Sequence, residues 1–251
     1  MGEFSMKKKS RKVLKILKFI ILILAVSLLV VCGLRLYDYF SQLSESKEHI
    51  NLIKTRTISV TEQEELPLEV DFEQLKKQND DIIAWIYSED TPLNYPIVQA
   101  DDNSYYLRRL TNGIYNIAGS LFADFRNSFD FSDLNTIVYG HNMNNGSMFG
   151  FILNYKKQEY FEGHKFAYIF TPDKNFKVEF VAGLTVKSTD EIYRLPMLSE
   201  DRETIINRTI EKSDFISDRK IFGSDRFVTL STCSYSFKDA RYVLIGVIEE
   251  I

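Results

Sequence analysis

At 251 residues, 45% hydrophobic and 14% aromatic, the chain is long enough for one sizeable core plus an appendage. Its formal charge of −4 is unevenly spread: seven of the 31 Lys and Arg residues precede Phe19, against one of the 35 acidic residues, Glu3. The remainder of the chain is therefore strongly acidic, which argues against nucleic acid as a partner.

Residues 1–5 read as a cloning remnant ahead of a natural start at Met6. Phe19 to Leu34 is sixteen residues without a charge, and residues 6–36 read as a basic cytoplasmic tail and transmembrane anchor. Counted from Val13, with Lys15 and Lys18 snorkelling, residues 13–36 supply the roughly 20 residues that cross a bilayer. Lys7, Lys8, Lys9, Arg11 and Lys12 stand before them, so the positive-inside rule puts the N-terminus in the cytoplasm and everything after about Tyr37 outside. A cleaved signal peptide is the competing reading, but no small-x-small site comes after the apolar run, which favours an uncleaved single-pass anchor. Cys32 lies within this span. Cys233 is then the only thiol outside, with no intramolecular disulfide partner.

Residues 37–70 read as a linker or N-terminal helical region, with Ile50, Leu52 and Ile53 as its main apolar points. The stretch is either a stalk or a helix resting on the domain at 71–251. Asp71 is placed to cap a helix through Phe72 and Leu75. Ile82–Tyr87 and Tyr95–Val98 read as strands around a Thr91-Pro92 turn, Tyr105–Leu107 as a short helix, and Gly119–Ala123 as another strand. Asn135–Tyr139 is a strand ending on Gly140-His141, Ser147–Tyr160 has helical spacing, and Lys165–Phe170 is again a strand. Lys177–Lys187 alternates most clearly, with Val178, Phe180, Ala182, Leu184 and Val186 expected on one face, toward a core. Pro196–Phe215 reads as an amphipathic helix. Seven or eight short strands with interspersed helices point to a closed or nearly closed β-barrel.

Two strands then carry the chemistry. Phe227–Cys233 ends on a thiol, Ser234–Ala240 forms a loop, and Arg241–Ile248 opens on a guanidinium. A Cys, a His and an Arg at strand ends can serve as nucleophile, proton carrier and oxyanion clamp. Each has a plainer reading. A lone cysteine is more often a buried structural thiol, though the polar run Ser-Thr-Cys-Ser-Tyr suits a core poorly. His141 competes with His164, which has only a loop reading, and arginines are usually surface residues. Asp124 and Asp239 are available to orient a histidine, but each reads more simply as a turn or surface residue. Two distant histidines with one cysteine make a poor zinc site, the acidic residues form no calcium cluster, and no phosphate loop is present, so neither metal nor cofactor is expected.

Thr229-Leu230-Ser231-Thr232-Cys233 resembles the TLxTC motif of sortases, the cysteine transpeptidases of Gram-positive cell surfaces, and Arg241 falls where their arginine does. Gly140-His141-Asn142-Met143 followed by Ser147-Met148-Phe149 is similar to the histidine segment of class B members. The resemblance runs from about Asp71 to the C-terminus. It implies an eight-stranded barrel with N-terminal helices, matched by Glu45–Lys77, and a helix between the sixth and seventh strands, matched by Pro196–Phe215. It also implies that Cys233 attacks the threonine carbonyl of a C-terminal sorting motif, of the NPQTN kind, in surface proteins. His141 would move the proton and Arg241 would stabilise the oxyanion. An amine of a peptidoglycan precursor, or of a pilin, would then release the acyl group. Ser231, Thr189 and Tyr193 are the substrate contacts implied by analogy. The competing functions are a hydrolytic cysteine peptidase and a non-enzymatic surface adhesin on the same barrel.

Overall fold

The computed structural model describes residues 2–60 and 66–251, with side chains from Leu14 onward except Val60. Met1 of the expected cloning remnant, the side chains of the basic flank through Lys12, and residues 61–65 of the expected linker lie outside the described residues. Two compact units divide the chain, residues 1–45 and 46–251.

The first unit belongs to helix α1 (Gly2–Thr57), which from Leu14 is long and apolar enough to cross a membrane, with none of its most apolar window buried. In the second unit the last turns of α1 bury Ser46, Ile50 and Ile53. Strands β1 (Ile58–Val60) and β2 (Leu68–Val70) then pair antiparallel. The expected N-terminal helical region is thus interrupted by a two-stranded sheet. The reason is local: Ile-Ser-Val and Leu-Glu-Val each alternate apolar and polar, the period of a strand. Asp71 caps α2 (Phe72–Gln78) as expected, its Oδ1 accepting from the Gln74 N–H at 2.9 Å.

Eight strands close the barrel: β3 (Ile82–Tyr87), β4 (Asn94–Val98), β5 (Leu121–Ala123), β6 (Asn135–Tyr139), β7 (Phe166–Phe170), β8 (Asn175–Lys187), β9 (Arg226–Cys233) and β10 (Ala240–Glu250). Around the barrel they run β10-β8-β7-β3-β4-β5-β6-β9, with β9 also paired to β10. The β4–β5 and β6–β9 pairs are parallel, and the remaining ones antiparallel. Closure leaves the barrel sheet without an edge. Ala84, Ile97, Leu121, Val138, Ile169 and Leu230 belong to one interior cluster to which every barrel strand contributes.

Period two sends the alternate residues outward, where helices cover them in two places. Ile53, Leu75 and Leu68 lie over Trp85, Val98 and Phe122. On the other side α4 (Ser199–Glu211) sets Ile205 and Ile206 on Val243, Ile245 and Phe227. The helix expected between the sixth and seventh barrel strands is therefore present, between β8 and β9. The expected helical stretch at 147–160 is instead a 3₁₀ segment (Gly150–Lys156) followed by α3 (Gln158–Gly163).

The single expected face of β8 does not survive. Ala182 pairs with Ile245 but Phe180 pairs with Gly246, so Val181 is an extra residue in the ladder. Such a bulge reverses which residues point inward. Phe176, Val178 and Phe180 fill the interior, whereas Val181, Leu184 and Val186 pack outside beneath α4.

Candidate active site

The register explains how the chemistry-bearing side chains share one surface. Phe122 is paired with Tyr139, Tyr139 with Ser231, and Cys233 with Arg241. All five have the outward parity on β5, β6, β9 and β10. Phe122 and Tyr139 lie at the border of the layer built on Ile53 and Leu75, and the other three stand beside them on the outer face. The result is an open cleft of about 510 Å³, lined by Cys233, Arg241, Ser231 and Tyr139 and bounded by His141, Leu107 and Tyr193.

Cys233 is the last residue of β9 and is partly exposed. Its carbonyl accepts from Asn142 Nδ2 at 2.9 Å, and the preceding Thr232 hydroxyl donates to the Gly140 carbonyl at 2.7 Å. The nucleophile strand and the histidine segment are thus tied together on both sides of the thiol. Arg241 stands directly across the β9–β10 ladder, at the spacing of about 4.5–5.5 Å between Cβ atoms that opposed residues have. Its Nη1 donates to the Ala240 carbonyl at 3.0 Å, which leaves most of the guanidinium fork for the cleft.

His141 is held at both ends. Its carbonyl accepts from the Phe149 N–H at 3.0 Å, and its Nε2 lies 2.6 Å from the carbonyl oxygen of Leu107. Desolvation lowers its pKa, the bond to Leu107 opposes this, and the charge of Arg108 adds to the lowering. Among the described residues, no carboxylate orients the ring. His164 has the plain role expected of it, its Nδ1 bonded to the Tyr160 carbonyl at 2.7 Å.

Of the expected substrate contacts, Ser231 and Tyr193 line the cleft and are joined by a 2.7 Å hydrogen bond between their hydroxyls. Burial pushes the Tyr193 hydroxyl up to about 12, so it stays protonated. Thr189 is not part of the lining: it is exposed in the turn after β8, and Ser188 takes the wall position instead. The turn is set by the Ser188 N–H donating to the Asp239 carbonyl at 2.9 Å, with Asp239 itself left-handed at φ 61°. Asp239 is therefore a turn residue, as expected.

Asp124 is not a surface residue. Fully buried, it accepts from Arg126 Nε and Nη2 at 2.8 Å each, from the Tyr139 hydroxyl at 2.9 Å and from Asn103 Nδ2 at 3.0 Å. Burial alone would raise its carboxyl pKa; these bonds, those of Arg126 foremost, hold it below the usual range. Asn103, Arg126 and Tyr139 all line the cleft, so one hidden carboxylate organises this wall. Tyr139 was within reach of the sequence, two residues before His141 on a strand of period two. Asn103 carries no such signal, because its contact with Asp124 spans 21 residues of chain, and Arg126, two residues from Asp124, belongs to no motif.

No family model matches the chain. It is 34% identical to Sortase B of Listeria monocytogenes over 177 residues, 68% of this chain and 71% of that protein. The structure of a Staphylococcus aureus sortase B–substrate complex superposes with a TM-score of 0.68 at 32% identity, covering 72% of this chain and 85% of that one. Sortase B from B. anthracis gives a TM-score of 0.74 at 31% identity, covering 84% of this chain and all of that one, 100%.

Proposed function

The chain belongs to the class B sortases, a family of cysteine transpeptidases, and from that premise we propose that it joins the sorting motif of exported proteins to an amine through an acyl group carried on Cys233. The observation that supports this reading most is the cross-strand pairing of Cys233 with Arg241 on the cleft that His141 borders. The Cys233 thiolate attacks the threonine carbonyl of the motif, and Arg241 donates to the oxygen that gains charge. His141, as imidazolium, gives its proton to the departing amine as the C–N bond breaks, leaving a thioester on Cys233. An acceptor amine then attacks the thioester, its proton passes to His141, and the thiolate is released. Ser231, Ser188, Tyr193 and the wall built on Asp124 are suited to hold the extended motif. The substrate class is supported by the S. aureus relative, solved as a substrate complex.

The acceptor is an amine of a peptidoglycan precursor or a pilin, and α1 serves as the single-pass anchor with the catalytic unit on the outer side. The basic flank before Phe19 supports that orientation. Protease added to wall-stripped cells is expected to digest the chain after Tyr37, and a protected domain would reverse the topology.

The test of function uses the full chain in detergent with a sorting-motif peptide, with and without added triglycine. An amine-capped product is expected whenever the amine is present. A free acid as the sole product in saturating amine would make this a hydrolytic peptidase.

A further inference from the structure

We propose that the backbone carbonyl of Leu107 fixes the tautomer and orientation of His141, and that Gly119 is the positioning residue that makes room for that carbonyl. The proposal rests on His141 being the proton carrier of the reaction proposed above.

A carbonyl oxygen only accepts, so the 2.6 Å contact requires a hydrogen on Nε2 of His141. A neutral imidazole carries one N–H, and with Nε2–H committed to Leu107 it is Nδ1 that is bare. This determines the proton cycle. The Cys233 S–H proton passes to Nδ1, giving a thiolate and a ring with two N–H groups. Nδ1–H is then given to the leaving nitrogen, and the ring returns to its starting tautomer without turning. A carboxylate at the position of Leu107 would orient the ring equally well but would also hold a proton on it. A neutral acceptor orients the ring without that bias, leaving the proton mobile.

The carbonyl stands on a single 3₁₀ turn, Tyr106–Arg108, too short to hold its own geometry. Several contacts brace it from outside, and two of them matter here. Tyr106 Oη donates to Asp81 Oδ2 at 2.6 Å, and the Ser120 N–H donates to the Tyr106 carbonyl at 3.1 Å. The second contact brings the 119–120 backbone against the turn. Gly119 has φ +59°, and a Cβ there would lie 2.6 Å from the Leu107 oxygen, 2.8 Å from the Tyr106 oxygen and 3.0 Å from the Leu107 carbonyl carbon. All three are backbone atoms, which cannot rotate aside as a side chain would. A Cβ at 119 must therefore shift the backbone on one side of this contact, and the carbonyl that meets His141 is part of it.

The test is ¹⁵N NMR of histidine-labelled full chain in detergent micelles at pH about 8, above the usual histidine pKa. His141 is assigned by the resonances that vanish in His141→Gln. The wild-type ring is expected to show a protonated Nε2 and a bare Nδ1; the opposite tautomer, or an even mixture, overturns the proposal. Gly119→Ala, checked for folding by circular dichroism, is expected to give a tautomer mixture and to lower kcat on the order of 10²-fold with KM little changed, the scale of a small misplacement of a reacting group. A folded Gly119→Ala protein with the wild-type spectrum and kcat also overturns it. If Gly119→Ala does not fold, the wild-type spectrum decides alone. Turnover surviving in His141→Gln would instead remove His141 from the reaction while leaving the tautomer result standing, so the two failures are distinguishable.

Discussion

Arg241 and Cys233 are direct partners across the β9–β10 ladder, so the guanidinium and the thiol are set side by side by backbone hydrogen bonds and not by a flexible loop. Arg241→Lys keeps the charge but replaces a planar fork of donors with a single mobile ammonium. Loss of one oxyanion donor costs on the order of 10²–10³ in rate elsewhere. Turnover of the folded variant is expected to fall at least about tenfold, measured on a sorting-motif peptide. Wild-type turnover would take Arg241 out of the oxyanion role.

The desolvation of His141 predicts the pH dependence. Its pKa is lowered, so on acidification the ring takes its proton later than an exposed histidine would. The acid limb of the kcat/KM profile, which reports the first ionisation of the Cys–His pair in the free enzyme, is expected below about pH 6.5. The same sign holds for stability: the folded chain resists protonating this ring, so the contribution of His141 is full above about pH 6.5 and is lost as pH falls. An acid limb above that value would contradict the half-buried, cation-flanked setting of the ring.

Asp124→Asn keeps the shape of the carboxyl group while removing its charge. Asn103, Arg126 and Tyr139 then lose their common anchor, and the cleft wall loosens away from the reacting atoms. KM for the peptide is expected to rise several-fold with kcat largely kept, alongside a lower melting temperature. An unchanged KM would reduce Asp124 to a purely structural role.

The reversal within β8 separates two substitutions that period two would treat alike. Phe180→Ala empties part of the barrel interior and is expected to cost about 3–5 kcal/mol. Leu184→Ala instead removes a contact under α4, and is expected to speed amide exchange in the helix around Ile205 and Ile206. Equal exchange in α4 for the two variants would contradict the face assignment.

These residues also mark how far the sequence could be read. The strands, the inserted helix and the Cys–His–Arg set follow from alternation and a local motif, because each depends on residues close together in the chain. Val181 breaks the pattern silently, since an all-apolar run looks the same with or without a bulge. Thr189 and Ser188 differ only in which side of a turn they take, and a turn is fixed by a distant carbonyl, that of Asp239. Asp124 reads as a turn residue from its near neighbours alone: Arg126 bonds it locally, but the bonds from Asn103 and Tyr139 come from residues 21 and 15 positions away. The carbonyl of Leu107, a backbone group, leaves no trace in side-chain chemistry at all.

The proposed reaction depends first on the thiol of Cys233, and peptide-mapping mass spectrometry tests it most directly. The full chain in detergent is incubated with a sorting-motif peptide and no amine acceptor, then quenched in acid and digested. An added mass equal to the acyl portion of the peptide is expected on Cys233, discharged within one turnover when an amine is supplied. Cys233→Ala, folded by circular dichroism, is expected to show neither adduct nor cleavage. Cleavage by that folded variant, or an adduct on any other residue, would contradict the assignment of Cys233 as the nucleophile.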